Sequence, residues 1–212
     1  MERLALLGGE KAVQQHDPSL FKWPIITEED EAAALEVLRA GTMSGTDVTL
    51  KFEEEMAQWH GTKYALAFNN GTNSLLGAMY GCKVGVGDEI ICASISYWAA
   101  ALPALSLGAS VVLADIDPQT LCLDPKDMEA KITDKTKAVV VVHNYAHPAD
   151  MDEIMAIARK YGIKVIEDVS HAQGGYYKGR KLGTIGDVGA MSLMTGKSFA
   201  IGEGGMFVTN DR

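Results

Sequence analysis

Three stretches of this sequence carry residues that could act together on one ligand. In "AMSLMTGKSFAIGEGG", residues 190–205, Lys197 sits among apolar residues and glycines. An ammonium there is costly to desolvate unless it is paired, neutralised or covalently used. Lys197 is therefore either an ordinary solvated lysine or an amine able to attack a carbonyl and form a Schiff base. In "KVIEDVSHAQGG", residues 164–175, strand alternation puts Val165 and Glu167 on one face and Ile166 and Asp168 on the other. The two acids are thus not expected to work as a close pair. Asp168 ends a buried-strand pattern and must find donors or a cation, so it either caps a loop or holds a positive charge on a ligand. In "FNNGTNSLLGAMYG", residues 68–81, an apolar run turns through Asn70, Gly71 and Thr72 into a helical pattern. Glycine permits close approach of an anion, the first helical amides have unused hydrogens, and Thr72 adds a hydroxyl. Any strand-to-helix turn can contain the same Gly-Thr pair, so the feature is weak alone.

Taken together, an anion cradle, a carboxylate and a lysine, with Ser192 on the strand before the lysine, suit pyridoxal phosphate. That cofactor needs its phosphate neutralised, its ring nitrogen kept protonated by an acid, and its aldehyde held by an amine. Other polar residues have plainer readings. His143 and Tyr145 follow "AVVVV" and either line a pocket or are satisfied beside a loop; His60 and His16 have no evident partner. Glu203 lies between Gly202 and Gly204, where the glycines serve a tight backbone path. Cys82, Cys92 and Cys122 lack metal-ligand or redox spacing and read as reduced core residues.

The elements that must position these residues are legible as a rhythm. "YALAFNN", "EIICAS", "SVVLADI", "AVVVVHN", "KVIEDVS" and "GAMSLM" are short apolar runs, and helix-like segments at 72–82, 97–107, 125–132 and 149–161 separate the first five. Near-continuous apolar strands alternating with helices predict a parallel sheet covered on both faces, with ligands beyond the carboxyl ends of its strands. Asp124 followed by Pro125 is a strong helix start. The glycine-rich stretch 171–188 reads as a loop with a small hairpin, and "GMFVTN" as a final strand. Before the sheet, 27–40 reads as a helix capped by Thr27 with Asp30 completing a capping box and Gly41 at its end. A second helix follows, on which Val48, Phe52, Met56 and Trp59 share a face and are expected in the core.

With 212 residues and no linker or repeat, one α/β domain is the economical reading. The net charge of -9, without a lysine or arginine cluster, argues against nucleic-acid binding. The opening "MERLALLGGEKAV" is too short in apolar residues for a signal core or a membrane span, so a cytoplasmic protein with no membrane association is expected.

The stretches "NNGTNSLLGA", "GDEIICASISYWAAALPAL", "VIEDVSHAQGG" and "GDVGAMSLMTGKSFAIGEGGMFVTND", with the run between 108 and 154, resemble the DegT/DnrJ/EryC1/StrS aminotransferases. The resemblance runs from about residue 4 to the end. It implies a three-layer α/β/α large domain over 1–212, with a mostly parallel seven-stranded sheet and residues 1–26 as an N-terminal arm. The small C-terminal domain of the family is expected to be absent, as is a segment that would lend a phosphate ligand to a neighbouring subunit. It also implies pyridoxal 5'-phosphate as cofactor, a homodimer, and transfer of an amino group from an amino acid, glutamate or glutamine, to a keto sugar, sugar nucleotide or cyclitol ketone. By the same resemblance Lys197 binds the cofactor's aldehyde and carries a proton, and Asp168 partners the pyridine nitrogen. Tyr97 lies against the cofactor face; Trp98 beside it keeps its reading as core. Gly71, Thr72, Asn73 and Ser192 donate to the phosphate. His171, standing where the family more often has glutamine, lies near the phenolic oxygen. Related dehydratases replace the lysine with histidine, and lyases of this fold use a mobile cysteine; a non-catalytic regulator or interaction module is the other alternative.

Overall fold

The computed structural model describes residues 3–15 and 17–211, so His16 lies outside the described residues. The chain divides into two compact units at Gly41, and the helix over 27–40 falls in the N-terminal unit rather than with the sheet.

In that unit, two 3₁₀ turns, Ala5–Leu7 and Pro18–Phe21, precede helix α1, Glu28–Ala40. The expected capping box is present: the Asp30 amide donates to Thr27 Oγ1 (3.3 Å) and the Thr27 amide to Asp30 Oδ2 (2.8 Å). Gly41 ends the helix at φ 68°, the left-handed conformation that glycine adopts without steric cost.

The second unit, from Thr42 onward, is built on a seven-stranded sheet. Its strands are β1 (Tyr64–Phe68), β2 (Glu89–Ala93), β3 (Ser110–Ala114), β4 (Thr136–Val142), β5 (Lys164–Asp168), β8 (Val188–Ser192) and β9 (Gly205–Thr209). The spatial order is β1-β9-β8-β5-β4-β2-β3, and β9 alone runs against its neighbours. The expected small hairpin is β6 (Tyr176–Tyr177) with β7 (Arg180–Lys181). Helices are α2 (Asp47–His60), α3 (Gly71–Gly81), α4 (Pro103–Ser106), α5 (Pro125–Ala130) and α6 (Met151–Tyr161).

Strand alternation sorts the core into two layers. Val139, Val141 and Ile91 pack with Met56, Met128 and Ile154 from α2, α5 and α6. Ala138, Val140, Ile90 and Cys92 pack with Leu75, Met79 and Ala104 from α3 and α4. Both faces of the sheet are therefore covered, which is why its strands read as continuous apolar runs. All three cysteines are buried and unpaired. No described helix is long and apolar enough to cross a membrane.

Two expectations are corrected. The segment 97–107 is not one helix: a 3₁₀ turn at Trp98–Ala100 stops, and α4 starts afresh with Pro103 at its first position. Proline has no amide hydrogen to extend a preceding helix but suits the first turn of a new one. On α2 only Met56 of the four supposed anchors is buried; Phe52 packs against the core, while Val48 and Trp59 are 59% and 48% exposed. The apolar spacing along α2 is wider than the face the sheet covers.

Candidate functional site

A cavity of about 240 Å³ opens at the carboxyl ends of β1, β5 and β8 and the start of α3. Gly71, Thr72, Tyr97, Asp168, His171, Ser192 and Lys197 all line it. Residues spread over more than a hundred positions of sequence thus meet because their strands run parallel and end on the same side.

Asp168 is carried by β5, between β4 and β8, opposite Val142 and Ala190. It is 4% exposed, and its Oδ1 accepts a hydrogen bond from the Ser170 amide (2.9 Å). Glu167, one residue earlier, faces the other layer, as alternation requires. Its Oε2 accepts from His143 Nε2 (3.0 Å) and the Gly183 amide (2.9 Å), and its Oε1 from the Ile185 and Gly186 amides (both 2.6 Å). The Ala149 amide donates to His143 Nδ1 (3.1 Å), which leaves the ring proton on Nε2, pointing at Glu167. His143 is therefore a satisfied core histidine and not a cavity residue.

Lys197 lies on a loop closed by backbone bonds: Leu193 N to Gly204 O (2.8 Å), Thr195 N to Gly202 O (2.8 Å) and Ile201 N to Leu193 O (3.0 Å). It is half-buried, not enclosed in an apolar setting as its neighbours suggested. His171 is held below the ordinary histidine range first by burial and then by the Lys197 ammonium, with the Asp168 carboxylate opposing both. Lys197 and Asp168 thus both act electrostatically on the His171 ring.

At the start of α3, Asn70 is the N-cap, its Oδ1 accepting from the Asn73 amide (2.8 Å). This takes the amide that Asn73 was expected to offer, and the Asn73 side chain donates to Asn69 Oδ1 (2.7 Å); Asn73 does not line the cavity. The amides of Gly71 and Thr72 precede the first intrahelical donor, the Ser74 amide, which bonds to Asn70 O. Gly71 is needed for a reason the sequence did not reveal. A Cβ there would stand 2.5 Å from Ser192 Cβ, so only glycine lets the helix start rest on the end of β8. Gly205 is equally constrained: its Cβ would meet Asn70 O at 2.2 Å.

Tyr97 forms part of the wall and is 58% exposed. Trp98 is 51% exposed and 5.2 Å from the Tyr97 ring between centroids, which overturns its reading as core. The structure adds Asn70, Ser170, Met194 and Glu203 to the lining. Ser170 accepts from the Ser192 amide (2.9 Å) and so ties β8 to the turn after Asp168. Asn70 was detectable as an N-cap preceding a helix. Nothing local in the sequence marked Ser170 or Glu203.

Comparison with known proteins gives a consistent result. The model of the DegT/DnrJ/EryC1/StrS aminotransferase family matches residues 24–212. The chain is 42% identical, over 198 residues, to the L-glutamine:2-deoxy-scyllo-inosose aminotransferase of Streptoalloteichus tenebrarius, covering 89% of this chain and 47% of that protein. Among solved structures it is similar to an aminotransferase from Psychrobacter cryohalolentis, with a TM-score of 0.85 and 40% identity over 90% of this chain and 49% of that one. It is also similar to the E. coli GDP-4-keto-6-deoxy-D-mannose-3-dehydratase with bound hydrated PLP, with a TM-score of 0.83 and 27% identity, covering 90% and 51%. The chain spans about half the length of the relatives it matches.

Proposed function

Because the chain belongs to the DegT/DnrJ/EryC1/StrS aminotransferase family, we propose that its cavity holds pyridoxal 5'-phosphate and that the protein transfers an amino group from an amino acid to a ketone. The observation that carries this reading is one cavity lined by Asp168, Lys197 and the Gly71–Thr72 start of α3. Its donor set fits the cofactor. Two helix-start amides and the Thr72 and Ser192 hydroxyls suit a phosphate, and the positive end of the helix dipole adds to them. The cradle exists because no Cβ fills the space between Gly71 and Ser192. A carboxylate suits a protonated ring nitrogen, and an amine suits an aldehyde.

When bound, the cofactor supplies the electron sink through which an amino group is moved. The chain's own residues do the rest. Asp168, anchored by the Ser170 amide, keeps a proton on the ring nitrogen. Lys197 holds the cofactor in the resting protein and then carries a proton to and from the reacting carbon. Tyr97 supplies an aromatic wall, and His171 a neutral ring, since burial and Lys197 disfavour its charged form.

Glutamine or glutamate is the proposed donor, and the ketone of a sugar, sugar nucleotide or cyclitol the acceptor. The relative that uses L-glutamine and 2-deoxy-scyllo-inosose supports this assignment. Residues 1–212 would form the cofactor-binding large domain, with 1–26 as an arm. A homodimer is proposed because Tyr97 on the cavity wall, its ring neighbour Trp98, and Tyr145, whose ring lies 6.3 Å from that of His171, are 51% to 72% exposed, aromatic surface that a second copy would cover. A cytoplasmic location agrees with three unpaired buried thiols.

Titration with pyridoxal phosphate, followed by absorbance, tests the reading. The parent chain should develop a visible band on binding; Lys197→Ala should bind without it, and Asp168→Asn should bind more weakly. A parent chain that takes up no cofactor at saturating concentration would remove the basis of the proposal.

A further inference from the structure

We propose that Gln173 is the positioning residue that holds the Lys197 loop against the turn that follows Asp168. This inference rests on the proposed cofactor site, but its structural half stands apart from any ligand.

The turn 169–173 follows Asp168 at the end of β5 and carries Ser170 and His171 on its way to Gln173. It is itself fixed, by Val169 N to Ala190 O, Ala172 N to Val169 O and Gly175 N to Ala172 O, each 2.9 Å. The Lys197 loop is fixed differently. Its cross-bonds join Leu193 to Gly204 and Ile201 and Thr195 to Gly202, leaving the tip, with Lys197, Ser198 and Phe199, beyond the last of them. The tip's own Lys197 amide turns back to Met194 O (2.9 Å).

Gln173 bridges these two pieces with a single primary amide. Its Nε2 donates to Ser192 O (2.6 Å) and, at 3.4 Å, to Phe199 O. Its Oε1 accepts from the Phe199 amide (2.8 Å). Both polar backbone groups of Phe199 are thus met by one side chain, which also holds the end of β8. The effect is a fixed separation between Phe199, two residues after Lys197, and the turn that follows Asp168. A ligand that must reach both charged groups at once needs that separation to be constant, because misplacement by about 1 Å can cost about 100-fold in rate. Glutamine is the side chain that fits. Glutamate would keep the bond from the Phe199 amide and set a carboxylate against two carbonyl oxygens; leucine would lose all three bonds; asparagine is one methylene short.

Two measurements on the full chain separate the parts of the proposal. Hydrogen exchange on the cofactor-free protein comes first. In Gln173→Leu, amides of residues 197–200 should exchange about tenfold or more faster, with β8 and β9 unchanged and the thermal transition retained. Covalent capture comes second, read as the rate at which borohydride fixes pyridoxal phosphate on Lys197. It should fall about 10- to 100-fold in Gln173→Leu and Gln173→Glu. Binding of pyridoxamine phosphate, which has no aldehyde, should stay within about threefold.

Unchanged exchange at 197–200 would overturn the proposal. So would capture and pyridoxamine phosphate binding that fall in parallel, since that marks a general loss of the fold. If the parent chain captures no pyridoxal phosphate, the cofactor reading fails, and the exchange result alone decides whether Gln173 anchors the loop.

Discussion

Replacing Gly71 with alanine tests whether the helix start really rests on β8. The added Cβ would lie 2.5 Å from Ser192 Cβ, 2.7 Å from its Cα and 3.1 Å from its amide nitrogen. Carbon atoms need about 3.5 Å, so the start of α3 must retreat by about 1 Å. That retreat stretches the bond from Ser74 Oγ to Met191 O, already 3.2 Å, past useful length. Overpacking of this kind costs about 1–3 kcal/mol, and it withdraws the Gly71 and Thr72 amides from the cavity. Gly81, at the other end of the same helix, is the internal control, since a Cβ there would meet nothing within 4 Å. Gly81→Ala should be neutral or stabilise by up to about 1 kcal/mol. Urea unfolding gives both values, and fluorescence titration with pyridoxal phosphate gives the affinity. Gly71→Ala should lose stability and bind more weakly, while Gly81→Ala should do neither. Equal stability of the two variants, with unchanged affinity, would refute the contact and the cradle built on it.

Three further outcomes are expected. Glu167→Ala leaves the His143 ring and three amides without their acceptor, and should lower stability by several kcal/mol in urea unfolding, each orphaned buried donor costing about 1–3 kcal/mol; Glu167→Gln, which keeps one oxygen, should cost about 1–3 kcal/mol. Ala146 has φ 64°, a left-handed conformation costing about 1–2 kcal/mol for a residue with a Cβ, so Ala146→Gly should raise stability by about 0.5–1 kcal/mol after the looser unfolded chain is counted. His60 and His171 are both held below their ordinary value of 6.5, chiefly by burial. The unfolded chain then takes up protons before the folded one. Their contribution to stability is full above about pH 6.5 and is lost as pH falls from there toward the lowered folded values; urea midpoints compared at about pH 7.5 and about pH 5.5 should show this, and His171→Asn should flatten the slope.

What the sequence disclosed depended on how local the cause was. The strands were legible because a sheet covered on both faces makes each strand a run of apolar, mostly β-branched residues, as in Val139 to Val142. Their ends were legible too, which put Asp168 and Ser192 on the correct side of the sheet. The reversal of β9 was not read, although its connection from β8 is short and has no crossover helix, which brings a strand back beside its neighbour in the antiparallel sense. Asn73 was misjudged because its amide is taken by the Asn70 side chain three residues earlier, the ordinary bond of an N-cap. The supports of the site were hidden because their partners are remote in sequence. Glu167 meets partners between His143 and Gly186, and Gln173 meets Ser192 and Phe199, so neither role has a signal in its own neighbourhood. Val48 and Trp59 show the opposite error, where correct periodicity overstated how much of α2 the sheet could cover.

On the proposed reading, one amine, Lys197, captures an aldehyde whose ring nitrogen the Asp168 carboxylate holds. Borohydride reduction of the full chain with pyridoxal phosphate, followed by peptide mapping, addresses it directly. A single modified residue, Lys197, with labelling much slower in Asp168→Asn, is the predicted result. Modification of another lysine in preference to Lys197, or none under conditions that label a free amine, would contradict it.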